Sequence, residues 1–140
     1  MNIDQLAAQL EIDEGRRKRM YLDSVGKWTV GVGRNMSDRD LSDDEIDLMR
    51  NNDIKLACAD LDRALPWWRF MTENRQQVLT NMCFNMGLGD SKRGLLSFRN
   101  TLNSMQTGDY KAAAQGMLNS TWAKQVGARA DRLAKMMREG

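Results

Sequence analysis

Three side chains that can hold or transfer a proton follow one another near the start of the chain: Glu14, Asp23 and Thr29. The chain has no histidine, so a histidine-based catalytic triad is impossible and the usual zinc-binding patterns are excluded. Acid–base chemistry therefore falls to carboxylates, lysine, tyrosine or cysteine. One carboxyl group that donates a proton, with a carboxylate and a hydroxyl that hold a water molecule, could carry out a hydrolysis.

Glu14 is predicted to end an amphipathic helix. The apolar residues of this helix recur at helical spacing: Ile3, Leu6, Ala7 and Leu10. Glu14 follows Leu10 on the same face, and Gly15 supplies a stop signal. Burial on that face and the negative end of the helix dipole both disfavour the charged carboxylate, whereas the basic residues 16–19 favour it. If burial dominates, Glu14 is a neutral acid, which is the general acid that glycoside cleavage requires.

The segment MYLDSVGKWTVGVG, residues 20–33, changes to the two-residue period of β-strands. Its part DSVGK predicts a turn between two short strands. Thr29 is predicted to share one face with Gly31 and Gly33, whose missing side chains leave room for a ligand to approach the backbone. Asp23 lies at the predicted turn, where water keeps its carboxylate ionised.

Each of these residues also has an ordinary structural explanation. A glutamate before a glycine stop is commonly a solvated helix-end residue or an ion-pair partner. An aspartate in a turn usually bonds its own backbone, and threonine is a good strand former. Spacing alone therefore leaves a catalytic and a structural interpretation open.

The whole chain predicts an α+β protein, with one helix, a small sheet, a long connecting helix and a helical bundle. Ser42 and Glu45 form a capping-box pattern at the start of the long helix, and Pro66, the only proline, ends it. We expect a single domain over residues 1–140, with one lobe at 12–58 and a second at 59–140 that also takes the first helix. Cys58 and Cys83 lie in apolar helical stretches and are expected to behave as small hydrophobes.

The composition is typical of a soluble globular protein, with 41% hydrophobic and 29% charged residues and a net charge of +2. No stretch approaches the roughly 20 apolar residues of a membrane span. The amphipathic, acidic N-terminus does not resemble a secretory signal. We therefore expect a protein that is made in the cytoplasm and does not insert stably into a membrane.

The catalytic candidates belong to a recognisable pattern, in which DEG is followed by Tyr21, Asp23, Gly26, Thr29 and GVG. This pattern resembles the phage lysozymes of the T-even type, glycoside hydrolase family 24. The spacings of nine residues from Glu14 to Asp23 and six from Asp23 to Thr29 match the catalytic triad of that family. Later segments are similar too, so the resemblance covers nearly the full chain: LSDDEIDLMRNNDI, NMCFNMG, SFRNTL and STWAKQVGARADR.

The resemblance implies a lysozyme-like fold and a muramidase that hydrolyses the β-1,4 bond between N-acetylmuramic acid and N-acetylglucosamine in peptidoglycan. It assigns Glu14 as the general acid, and Asp23 and Thr29 as the groups that position and activate water, with inversion at the anomeric carbon. It also implies six substrate contacts: Asn35, Phe84, Asn85, Thr101, Trp122 and Arg129. Core packing is an alternative role for Phe84 and Trp122.

The chain departs from the family pattern in three places. Arg34 follows GVG where many relatives have a histidine that pairs with an aspartate of the long helix. Asp53 has the matching position, so we predict an Arg34–Asp53 ion pair. Gly116 stands where the resemblance suggests a substrate-contacting asparagine, which leaves sugar binding there open. The segment between the sheet and the long helix is shorter than in the longest relatives, which predicts a more open lower lobe.

The implied biological role is that of an endolysin, which stays in the host cytoplasm until a holin releases it toward the cell wall and periplasm. Its implied partners are peptidoglycan glycan strands, and it is expected to act as a monomer without a cofactor, a metal or a nucleic-acid partner. A non-catalytic lysozyme-like module that binds peptidoglycan or another protein is the alternative. A nucleic-acid-binding module, suggested by GRRKR and the basic C-terminus, is disfavoured by the near-neutral net charge.

Overall fold

Seven α-helices and one small antiparallel sheet make up the computed structural model, which describes residues 1–140. The elements follow one another as α1 Ile3–Glu14, β1 Arg17–Leu22, β2 Trp28–Gly31, β3 Arg34–Asn35, α2 Asp43–Ala64, α3 Glu73–Met86, α4 Arg99–Thr107, α5 Tyr110–Leu118, α6 Thr121–Val126 and α7 Ala128–Glu139. Two short 3-10 helices, Pro66–Phe70 and Leu95–Ser97, flank α3. The predicted α+β class is confirmed.

Local sequence signals account for the start of the chain. The side chain of Asn2 caps α1 by accepting a hydrogen bond of 3.0 Å from the backbone N–H of Gln5. The helix ends at Gly15, which has a φ of +77° that a side chain would strain. The sheet order is β1-β2-β3. Tyr21 pairs with Thr29 across β1 and β2. The end of α1 at Gly15 confirms the predicted helix stop, and this strand pairing confirms the predicted hairpin.

The long helix α2 begins and ends where the sequence predicts. Ser42 and Glu45 form the expected capping box: the Ser42 N–H donates to Glu45 Oε1 over 3.0 Å, and the Glu45 N–H donates to Ser42 Oγ over 3.2 Å. The helix stops at Ala64, two residues before Pro66.

Contacts within the chain define two compact units, which we call the N-terminal unit (Met1–Ile46) and the C-terminal unit (Asp47–Gly140). The grouping places the first helix in the N-terminal unit and ends that unit within α2. The division of a single domain into lobes at 12–58 and 59–140 stays a prediction.

The buried apolar core belongs to the C-terminal unit. Its most deeply buried side chains are Leu61, Val78, Leu79, Met82, Leu95, Met105, Met117 and Met137. Four of these are methionines, whose unbranched side chains fill irregular space between helices. Cys83 is buried in the same core and Cys58 is half-buried at its edge, and both are free thiols. Burial raises the pKa of the Cys83 thiol, as expected for a cysteine that packs as a small hydrophobe.

Candidate active site

Glu14, the last residue of α1, lies against the turn between β2 and β3. An added Cβ on Gly33 of that turn would stand 2.7 Å from Glu14 Oε2 and 2.9 Å from its Cδ. Gly33 therefore provides the space that the Glu14 carboxyl group occupies. Glu14 takes part in none of the ion pairs of the chain. The side chain is exposed, so the burial predicted from its place on the apolar helix face is wrong; α1 has no buried residue on any face.

Asp23 is fixed by the turn that joins β1 to β2. Its Oδ1 atom accepts hydrogen bonds from the backbone N–H groups of Val25, at 3.0 Å, and Lys27, at 2.8 Å. Gly26 closes the turn with a φ of +81°, and its N–H donates to the Asp23 carbonyl over 3.1 Å. The structural role expected of a turn aspartate is thus present. It uses only Oδ1, which leaves Oδ2 oriented and available to a ligand.

Thr29 lies beside Asp23 because both residues bond the same carbonyl group. The Thr29 hydroxyl donates to the Lys27 carbonyl oxygen over 3.1 Å, and the Asp23 N–H donates to that oxygen over 2.9 Å. Thr29 is one of two buried polar residues, with 4% of its surface exposed. Because its proton is committed to Lys27, the Thr29 oxygen can act toward a ligand only as an acceptor. The Lys27 carbonyl is a link that the sequence pattern does not reveal, since any residue type could supply it.

Asn35 pairs with Thr29 across β2 and β3, but its side chain is engaged by the following turn. Its Oδ1 accepts from the N–H groups of Ser37, at 2.9 Å, and Asp38, at 3.1 Å. Its Nδ2 donates to Asp38 Oδ2 over 3.0 Å. Lys27 binds the same Asp38 carboxylate at 3.0 Å, and these bonds hold the pKa of Asp38 below its usual value. Asn35 organises this turn, and its contact with substrate stays a prediction.

Arg34 pairs with Glu45, so the predicted Arg34–Asp53 ion pair is wrong. The guanidinium donates to both carboxylate oxygens of Glu45, and its Nη2 also donates to the Asp40 carbonyl over 2.9 Å. Glu45 is better placed because the capping box already orients its carboxylate at the first turn of α2. The pair ties the end of the small sheet to the start of the long helix.

We expect the Arg34–Glu45 pair to make stability depend on acid pH. Hydrogen bonds from Arg34, with further ones from Ser42, lower the pKa of Glu45 from 4.5 to about 2. A depressed folded-state pKa contributes stability that is fully present above pH 4.5 and is lost as pH falls toward 2. The urea midpoint should therefore fall over this range, and more steeply in the parent than in Glu45→Gln. Parallel pH dependences for the two proteins would contradict this.

Four of the five predicted contacts in the C-terminal unit divide between two cavities, and Asn85 lines neither. Thr101 and Trp122 line a polar groove of about 930 Å³, while Phe84 and Arg129 line a second cavity of about 610 Å³. Trp122 is buried and packs edge-to-face with Phe98, at 6.2 Å between ring centroids. The Trp122 indole N–H donates to Asn85 Oδ1 over 2.8 Å.

Trp122 is therefore held as a core residue with a polar contact, whereas Phe84 is 44% exposed. Gly116 lies so close to Thr101 that a side chain at position 116 would overlap the Thr101 hydroxyl. Gly116 therefore packs directly against the Thr101 side chain. The substrate roles of all five residues stay predictions.

The phage lysozyme family model matches residues 11–138. The chain is 22% identical over 167 residues to the probable T4-type lysozyme 2 of Dictyostelium discoideum, covering 99% of this chain and 96% of that protein. It is 23% identical over 168 residues to the probable T4-type lysozyme 1 of the same organism, with the same coverage.

A further relative is the pre-baseplate central spike protein Gp5 of Enterobacteria phage T4, 26% identical over 167 residues. The match covers 96% of this chain but only 28% of the spike protein. None of the helices is long and apolar enough to cross a membrane. Because the family model spans nearly all of the sequence, including Glu14, Asp23 and Thr29, the chain belongs to the phage lysozyme family.

Proposed function

We propose that the protein is a muramidase that cleaves the β-1,4 bond between N-acetylmuramic acid and N-acetylglucosamine in peptidoglycan. Membership of the phage lysozyme family supports a lysozyme-like function. The observation behind the proposal is the shared Lys27 carbonyl oxygen, which accepts hydrogen bonds from the Asp23 backbone N–H and from the Thr29 hydroxyl and so keeps the two residues close together. A fixed carboxylate with one free oxygen, next to a hydroxyl that can only accept, suits the binding of one water molecule.

In the proposed reaction, Glu14 donates its proton to the glycosidic oxygen as the bond from that oxygen to the anomeric carbon breaks. Asp23 Oδ2 accepts one hydrogen of the attacking water, and the Thr29 oxygen accepts the other. The lone pair of the water then points away from both groups and toward the anomeric carbon. The water oxygen forms the new bond, Asp23 takes the released proton, and the anomeric configuration inverts.

Glu14 must carry its proton when the reaction begins. A glycan chain bound over the exposed side chain would exclude water and favour the neutral acid. Gly33 would leave the space that the carboxyl group needs, since an added Cβ there would stand 2.7 Å from Oε2. Bound substrate would thus bury the Glu14 carboxyl group, which packing of the helix face does not do.

Isolated peptidoglycan provides the direct test of this function. The purified protein should generate new reducing ends and clear a suspension of outer-membrane-permeabilised Gram-negative cells. The same protein should leave chitin, which lacks the lactyl ether and peptide of muramic acid, comparatively intact. Binding to peptidoglycan without new reducing ends would overturn the enzyme and favour the non-catalytic binding module.

Gly33→Ala should strongly reduce activity, with Gly31→Ala as the matched control. Both glycines have positive φ, +64° and +67°, so alanine strains each backbone by about 1–2 kcal/mol. Only the alanine at position 33 meets the Glu14 carboxyl group, since nothing lies within 4 Å of an added Cβ on Gly31. Displacing the acid should cost about 100-fold in kcat. Equal activity losses in the two variants, at equal urea midpoints, would show that Gly33 does not position Glu14.

We further propose the biological role of an endolysin that acts as a monomer in host cell lysis. In this proposal the protein waits in the host cytoplasm, and a holin admits it to the peptidoglycan. Expression without a pore-forming partner should leave host cells intact, and permeabilising their inner membrane should trigger lysis. Spontaneous lysis at the same expression level would contradict the need for a holin.

A further inference from the structure

The N-terminal unit exposes apolar side chains instead of burying them. Every buried apolar side chain of the chain lies between Ala57 and Met137. Three apolar residues surround the turn of the β1–β2 hairpin: Leu22 is 56% exposed, Val25 75% and Trp28 47%. Leu22 and Trp28 are direct cross-strand partners and so share a face. The end of the hairpin is thus an apolar surface that includes an indole ring.

The same hairpin carries a strong positive charge. Between Arg17 and Gly31 the hairpin has four basic residues and one acidic residue. The basic residues 16–19 are all exposed, and Lys18 and Arg19 take part in none of the ion pairs. Their charge is therefore free to act on a partner. We call Lys18, Arg19, Leu22, Val25 and Trp28 the hairpin surface.

We propose that the hairpin surface docks on an anionic phospholipid bilayer. Basic side chains are attracted to anionic headgroups, while aliphatic side chains and an indole ring are favoured at the boundary with the acyl chains. A nucleic acid would match the charge but leave Leu22 and Val25 without apolar contacts. A second copy of the chain would match the apolar residues but bring two positively charged surfaces together.

This docking is peripheral, and it can be measured apart from the proposed hydrolysis. The surface lies on a hairpin, and none of the helices can span a bilayer. Attachment by a few basic and apolar side chains is reversible and weakens as salt screens the charges. Vesicle binding can therefore be measured without any glycan substrate.

Co-sedimentation with vesicles of defined composition tests the proposal. The full chain should bind vesicles of phosphatidylglycerol and phosphatidylethanolamine, and bind phosphatidylcholine vesicles much more weakly. The double variant Lys18→Glu/Arg19→Glu should bind anionic vesicles more than about tenfold more weakly, since each basic residue near the surface strengthens binding roughly fivefold. Val25→Ser should weaken binding severalfold at unchanged charge.

The matched control is Lys111→Glu/Lys124→Glu, which makes the same change of charge at two exposed lysines of α5 and α6. It should bind anionic vesicles nearly as well as the parent. Equal losses in the two double variants would overturn the proposal, because they would show a response to net charge alone. Equal binding to phosphatidylcholine would also overturn it.

Light scattering tests whether a second copy of the chain, and not a bilayer, covers the hairpin surface. A dimer in solution that Val25→Ser dissociates would show that a second copy covers the hairpin surface, which would overturn the bilayer as its partner. All variants should keep the parental circular dichroism spectrum, and the two charge variants should release reducing ends from peptidoglycan at the parental rate. Loss of that activity in the parent would count against the hydrolase only and leave the vesicle measurements valid.

Discussion

Replacing Glu14 by glutamine should lower the rate at which peptidoglycan yields new reducing ends by about 10³-fold. An amide has the same shape as the carboxylic acid but cannot donate the proton that the leaving oxygen needs. Because Glu14 is exposed and forms no ion pair, the substitution should leave the urea midpoint unchanged. The expected loss is therefore one of kcat and not of folded protein.

Glu11→Gln is the matched control for this variant. Glu11 lies one helical turn earlier on α1, and its carboxylate pairs with Arg16 at 2.7 Å on the surface. An exposed pair of this kind contributes little to stability, so this variant should remain fully active. Parental activity in Glu14→Gln would remove Glu14 from the role of general acid and leave it as a solvated helix-end residue.

Asp23→Asn should lower kcat by about 10²- to 10⁴-fold while the hairpin stays folded. The asparagine oxygen can still accept the hydrogen bonds from the N–H groups of Val25 and Lys27. The second position becomes an NH₂ group, which donates hydrogen bonds and cannot take a proton from water. The substitution thus separates the turn-forming role of Asp23 from its proposed catalytic role.

Asp38→Asn gives the comparison within the same unit. Asp38 pairs with Lys27 and with the Asn35 side chain, and its carboxylate is exposed. We expect this variant to remain active, with kcat measured on peptidoglycan and folding checked by circular dichroism. If the activity of Asp23→Asn equals that of Asp38→Asn, Asp23 is only a turn residue.

The sequence predicts those parts of the fold that depend on short-range chemistry. Gly15 ends α1, Ser42 and Glu45 cap α2, and Pro66 prevents that helix from continuing. Each signal acts within a few residues, so no knowledge of distant packing is needed. The turn at Asp23 was predictable for the same reason.

Other features depend on choices that the sequence leaves open. Several acidic residues follow Arg34 closely in the sequence, and it pairs with Glu45 because the capping box fixes that carboxylate. The exposure of Glu14 depends on what packs against α1, which helical periodicity cannot specify. The close approach of Glu14 to Gly33 likewise joins the end of α1 to the turn after β2, and no local sequence signal specifies a contact between these two elements.

The anomeric configuration of the newly released N-acetylmuramic acid ends tests the central claim most directly. Proton NMR of peptidoglycan digestion, recorded before mutarotation, distinguishes the α-anomer from the β-anomer. A water held between Asp23 and Thr29, attacking opposite to the bond that Glu14 protonates, predicts the α-anomer from the β-linked substrate. Initial release of the β-anomer would contradict the arrangement of these three residues around a single attacking water.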